Sequence, residues 1–191
     1  ELTYVITEDS NIELLTNSDE DASKIYEASL RFVAVMAFSR LFPEIRVRLT
    51  RNVSRSTFIQ ILNPDVIATV RMKEAINNEM KQIIASDFTF TRHKFAKEDA
   101  VSLYKENGLD DKLEALEYRP EKTVHLYDCD GYLNYMFSHM VPSTGYLTAY
   151  KIRLYSPGII IQYPRSECNG EIPEFEDAPT FGRTLKESHE W

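Results

Sequence analysis

Apolar side chains recur along the chain in two rhythms, one helical and one alternating, and their order predicts an α+β fold. Tyr4-Val5-Ile6 and Ile12-Glu13-Leu14-Leu15 read as two short strands about the turn Glu8-Asp9-Ser10-Asn11. Asp19-Glu20-Asp21 then opens a long helix, with its acids at the positive end of the helix dipole. Its apolar face runs Ile25, Ala28, Phe32, Val35, Met36, Phe38 and Leu41, and Pro43 ends it. A hairpin follows, Ile45 to Thr50 and Thr57 to Leu62, with polar Arg51 to Ser56 as its turn region.

Asn63-Pro64-Asp65 has the form of a helix start, with Asn as cap and Pro in the first turn. The helix expected there carries Ile67, Val70, Ile76, Met80, Ile83 and Ile84 at near-helical spacing. Phe88, Phe90 and Phe95 suggest a strand, Lys97 to Asn107 a short helix ended by Gly108, and Asp110 to Tyr118 another helix before Pro120. Thr123 to Asp128, Tyr146 to Tyr155 and Gly158 to Tyr163 read as strands, with a dense loop from Met136 to Gly145 between them. After Pro164 the chain turns polar and acidic between prolines, which is linker composition. Long helices against an antiparallel sheet are the expected architecture.

Composition narrows the function classes. The chain has 191 residues, 43% hydrophobic and 27% charged, which suits one sizeable domain or one domain plus a fragment. The longest apolar stretch, Phe32 to Phe38, is far too short to span a bilayer. Glu1-Leu2-Thr3-Tyr4 has neither the basic nor the apolar region of a secretory signal, and a first residue other than Met reads as a processed or truncated start. Cys129 and Cys168 are too few for a disulfide framework, so a reducing, cytoplasmic setting is expected. A net charge of −8 argues against a general nucleic-acid binder. Arg46, Arg48, Arg51 and Arg55, with Arg40 before them, are the local exception. On a strand Arg46 and Arg48 share one face, and a solvated sheet face is favoured there over a phosphate or RNA contact.

No Walker-type phosphate loop, Gly-x-Ser-x-Gly elbow or His-Glu-x-x-His helix is present. His125, Cys129, His139 and Cys168 could be drawn together as a zinc set, but none has the close ligand spacing that marks such sites. Ser138 beside His139 has no orienting acid in sequence, and His139 reads as a partly exposed loop histidine. Ser143-Thr144-Gly145 could cradle a small anion with its backbone N–H groups, although an ordinary turn is favoured.

Arg40-Leu41-Phe42-Pro43 ending a helix, the hairpin, Asn63-Pro64 and the Val141-Pro142 loop come in an order that resembles the second additional domain of threonyl-tRNA synthetases, over residues 20 to 165. The resemblance implies a zinc-dependent editing site built from His-x-x-x-His on the first helix and Cys-x-x-x-His before Val-Pro. Alignment on Leu41-Phe42-Pro43 and Val141-Pro142 puts Ala28, Phe32, Met136 and Met140 at those four positions. Ala and Phe offer no lone pair and a thioether is a weak ligand, so zinc and editing activity are not expected here. Four apolar residues suggest packed core instead.

The segments His139 to Leu147, Leu154-Tyr155-Ser156-Pro157-Gly158 and Ile172-Pro173-Glu174-Phe175 are similar to the N-terminal region of uridine-kinase-like nucleoside kinases. That likeness implies three parts: residues 1–17 closing a TGS-like domain, 18–165 a degenerate editing-like domain, and 166–191 an acidic linker to a P-loop kinase domain. The chain would then be an accessory or regulatory region without catalysis or cofactor of its own, its ATP and Mg²⁺ belonging to the kinase domain. Its partners would be that kinase domain and a nucleoside or nucleotide touching Arg46, Arg48, Arg51, His139, Ser143, Thr144 and Gly145. A packing or homo-oligomerisation module is a blander form of the same expectation. The alternative is a zinc-free tRNA-binding or trans-editing-like module.

Overall fold

The computed structural model describes residues 5–106, 113, 116, 120, 122–136 and 138–177, and divides into two compact units. The first joins residues 1–88 to 138–191 and the second is 89–137. Both combine helices with antiparallel sheet, as the α+β expectation requires.

In the first unit, helix α1 spans Glu20–Leu41. Its N-cap Asp19 turns its carboxylate backward, where Oδ2 accepts from the Thr16 N–H at 2.6 Å and the Thr16 hydroxyl at 3.0 Å. Burial is not confined to one stripe: Tyr26, Ala28, Leu30, Phe32, Val33, Ala34, Met36, Ala37 and Phe38 are all buried. A helix apolar on most sides belongs inside a core. It packs on α2 (Val70–Ala85), on strand β1 (Val47–Val53) and on the short turn Ser166–Cys168.

The sheet runs β1, β2 (Ser56–Ile61), β7 (Gly158–Gln162), β6 (Lys151–Tyr155), antiparallel throughout. Every residue of β7 is buried, so both faces of the sheet are covered there. Phe58 and Ile160, opposite one another, cluster with Val53, Tyr155 and Phe175 on one face. Phe175 belongs to the segment whose composition reads as linker. In the structure that segment straps the sheet: Gln162 Nε2 donates to the Pro173 carbonyl at 3.0 Å, the Glu176 N–H to Ser54 Oγ at 2.7 Å, and Tyr155 meets Phe175 edge-on. Composition missed this because one aromatic ring, two backbone groups and the Asp177 carboxylate, which accepts from Tyr155 Oη at 3.2 Å, do the holding.

The second unit is a three-stranded sheet, β3 (Thr91–Ala96), β4 (Thr123–Cys129) and β5 (Tyr132–Tyr135), with helix α3 (Lys97–Glu106). Ala100, Tyr104, Leu116, Val124 and Leu126 form its core. Leu113 and Leu116 are helical, whereas the rest of the helix expected over 110–118, apart from those two, lies outside the described residues.

Several expected boundaries are corrected. Residues 5–15 form no strand, and Val5, Ile12 and Leu14 are exposed; among the described residues no strand pairs with that backbone. Tyr4 lies outside the described residues. The first hairpin closes on a two-residue turn, with Ser54 at φ 51° and Arg55 at φ 56°, so β1 runs on to Val53 and β2 starts at Ser56, inside the expected turn region. Asn63-Pro64-Asp65 does not start α2. Asn63 closes the hairpin instead, accepting from the Arg46 N–H at 2.8 Å and donating to the Glu44 carbonyl at 3.2 Å. Thr69 caps the helix, accepting from the Met72 N–H at 3.1 Å. Phe88 stays outside β3 because its N–H is taken by Thr144 Oγ1 at 2.9 Å. Strand β6 begins at Lys151, not Tyr146, because 144–146 form a 3-10 turn and Ala149 exchanges hydrogen bonds with Tyr26 Oη at 2.8 and 2.9 Å. Strand β5 was not foreseen, although Asp130-Gly131, at φ 49° and 77°, is a strong hairpin signal.

Charge ties α1 to the end of β7. Glu27, 17% exposed, lies 3.2 Å from Arg31 Nη1 and 3.7 Å from Arg165 Nη1, and Arg165 donates to Tyr163 Oη at 3.0 Å. Glu27→Ala leaves two half-buried guanidiniums without this carboxylate, so urea denaturation is expected to show a loss of about 2 kcal/mol, between exposed and fully buried pairs. Burial, with the Tyr26 hydroxyl nearby, pushes Tyr150 up to about 12, and burial beside Glu27 pushes Tyr163 up to about 12. In an unfolded chain both ionise near pH ~10. The unfolded chain therefore releases these protons first, and stability is expected to fall as pH rises from about 10 toward 12. Burial also raises Tyr26, so absorbance titration of the folded chain should show a late-ionising group that includes Tyr26, Tyr150 and Tyr163; ionisation of every tyrosine near pH ~10 would contradict this burial.

Candidate functional site

The turn Ser143-Thr144-Gly145, favoured over an anion cradle in sequence, is engaged with a carboxylate from the chain itself. Helix α2 ends at Ala85, and Asp87 beyond it sits at φ 51°. Asp87 Oδ1 accepts from the Gly145 N–H at 3.0 Å and from the Ser143 hydroxyl at 2.5 Å. The Thr144 N–H donates to the Phe88 carbonyl at 2.8 Å, and its hydroxyl donates to the Ile83 carbonyl at 2.7 Å. A Cβ on Gly145 would meet the Asp87 carboxylate, so a larger residue there would push that side chain off the turn. Sequence reading passed over Asp87, whose only signal is an acid just past an amphipathic helix. Asp87→Ala unclasps Ser143 and Gly145, and thermal or urea unfolding should register a loss of about 1–3 kcal/mol.

The Val141-Pro142 loop docks on α1, where the Val141 N–H donates to Ser29 Oγ at 2.9 Å and Ser29 donates to the Ile25 carbonyl at 2.7 Å. Ala28 precedes Ser29, and both Ala28 and Phe32 are 1% exposed. Met140 is half-buried on the loop, and Met136 is half-buried in the second unit. These side chains do not fit the zinc implied by the resemblance, since they supply neither imidazole nor thiolate. Among the described residues no three His, Cys, Asp or Glu side chains gather to hold a metal. His125 and Cys129 lie on β4, His139 is exposed, and Cys168 accepts from Arg55 Nη1 at 3.5 Å.

The arginines separate by role. Arg46 is exposed just before β1, Arg48 is exposed on that edge strand, and Arg51 is on β1 past a bulge. Arg40 instead joins the helices, 3.3 Å from Glu79 and with its guanidinium 5.8 Å from the Phe88 ring centroid. A second basic surface was not anticipated. A groove of about 500 Å³ runs between α2 and β6, with Lys73, Asn77 and Lys81 on one wall and Tyr150 and Lys151 on the other. Tyr150 Oη donates to the Asn77 carbonyl at 3.5 Å and fixes that wall to the helix. The stripe Lys73, Asn77, Lys81 has helical spacing in the sequence, but only the strand beside it makes a groove.

A threonine–tRNA ligase of Syntrophomonas wolfei is 30% identical over 153 residues, covering 80% of this chain and 24% of the ligase. The chain is similar to threonine–tRNA ligases. Those of Caldanaerobacter subterraneus and Clostridium novyi are 29% and 27% identical over the same shares of both chains. The chain thus spans about a quarter of the length of these relatives. No protein-family model matches it. The α+β arrangement of helices on antiparallel sheets is the fold expected of the synthetase additional domain. These findings support the synthetase part of the sequence expectation, and none of the relatives named here is a nucleoside kinase. No helix among the described residues is long and apolar enough to cross a membrane.

Proposed function

We propose that the chain is a zinc-free tRNA-binding module of synthetase descent that holds tRNA without hydrolysing its ester. The observation behind this reading is the likeness to threonine–tRNA ligases over 80% of the chain. The buried Ala28 and Phe32, with Met136 and Met140, take the positions where the resemblance would put metal ligands, which removes the zinc-dependent step and leaves recognition. The loop that would frame such a site is still seated on α1 through Ser29, so the scaffold outlasts the chemistry. A cytoplasmic setting follows from a tRNA partner. An accessory role beside a nucleoside kinase has no relative named above behind it.

Filter binding with a threonine-acceptor tRNA, and hydrolysis of its seryl ester, test the proposal together. Retention at about 50 mM salt, weakening steeply as salt rises, is expected because phosphate contacts release counterions. Ester loss should match the uncatalysed rate with and without added zinc. No retention at low salt overturns the binding claim, and zinc-dependent deacylation overturns the non-catalytic one.

A further inference from the structure

The chain as a whole carries a net charge of −8, so a nucleic-acid partner needs a place where the local charge is reversed. The groove between α2 and β6 is lined by Lys73, Lys81 and Lys151 and by no Asp or Glu. Lys73 and Lys81 stand eight residues apart, about 12 Å along the helix axis, a distance that several consecutive phosphates of one strand span. An ordinary solvated helix face mixes signs, as α1 does where Lys24 meets Glu20 at 2.7 Å and Asp21 at 3.8 Å. Here the nearest acid contact is loose: Glu74, 63% exposed, comes within 3.9 Å of Lys73 Nζ. Lys81 and Lys151 make no ion pair among the described residues. Between the lysines, Asn77 and the exposed Thr148 supply neutral hydrogen-bonding groups.

We infer that this groove is the surface that follows the phosphate backbone of the bound RNA, with Lys73, Lys81 and Lys151 as the ammonium contacts and Asn77 and Thr148 between them. The assignment rests on the tRNA-binding reading and adds its location. It concerns positioning rather than sequence choice, because phosphate contacts carry no base information. The hairpin arginines Arg48, on β1, and Arg46, just before it, belong to the opposite edge of the sheet from β6 and serve as a control.

The experiment compares the full chain with the triple variant Lys73→Gln, Lys81→Gln, Lys151→Gln and the double variant Arg46→Gln, Arg48→Gln, each titrated with the same tRNA across a salt series. The triple variant should bind at least tenfold more weakly, and its salt slope should fall by about 2 to 3 for three lost contacts. The double variant should bind like the parent, and restoring charge as Lys73→Arg, Lys81→Arg, Lys151→Arg should recover most of the affinity. If the parent binds and the triple variant matches it, the groove assignment fails while the tRNA reading stands. Equal losses in the triple and double variants also overturn it, since net charge alone would then explain binding. Failure of the parent to bind removes the tRNA reading and this assignment with it. Unchanged circular dichroism and melting of the triple variant establish that a loss is not unfolding.

Discussion

Burial of helix α1 on most of its circumference is the constraint on which the rest of the first unit depends. A helix with Ala28, Phe32, Val33, Ala34 and Met36 all buried needs cover from several directions, and no single neighbour supplies it. Helix α2 and strand β1 provide part, and the turn at 166–168, far along the chain, provides more. Polar contacts then fix the pieces in register. Tyr26 holds Ala149, Ser29 holds Val141, Ser23 donates to the Pro164 carbonyl at 3.3 Å, and Glu27 faces Arg165. The chain's two distant segments are therefore stitched along one helix, by groups that would be costly to leave buried without partners.

That stitching bears on function. The Val141 loop would frame the zinc site of an editing enzyme, and here it is held by a hydroxyl beside an alanine. The Ser143-Thr144-Gly145 turn has its donors directed to Asp87 and its neighbours, so its geometry stabilises the end of α2. Both features look chemical in sequence and act structurally in the fold. The same docking of 144–150 against α2 brings β6 alongside the helix and creates the lysine-lined groove.

The α+β class, the extent of α1, the existence of both helices around 70–106 and the strand at β7 were legible in the sequence because each rests on local periodicity or a local breaker. Pro43 ends α1 by sterics that need no tertiary context. The apolar side chains at Ala28, Phe32, Met136 and Met140 were likewise plain from residue identity, and with them the misfit to zinc. The likeness to threonine–tRNA ligases also lies in the residues themselves.

Tertiary structure decided the rest, chiefly where a residue has two local uses. Asn63 is a good helix cap and a good hairpin closer, and the Arg46 and Glu44 backbone groups within reach settled the choice. Residues 173–176 have the composition of a linker until Phe175 meets Tyr155 on an apolar sheet face. Asp87 carries no motif, and only the approach of Gly145 gives its carboxylate a role. Lys73 and Lys81 form an ordinary polar stripe until Lys151 arrives from a strand seventy residues later. Sequence by itself determined the two long helices, the class of the fold and the apolar character of Ala28, Phe32, Met136 and Met140. Partner choice between equally polar groups is a matter of distance, and distance exists only once the chain has folded.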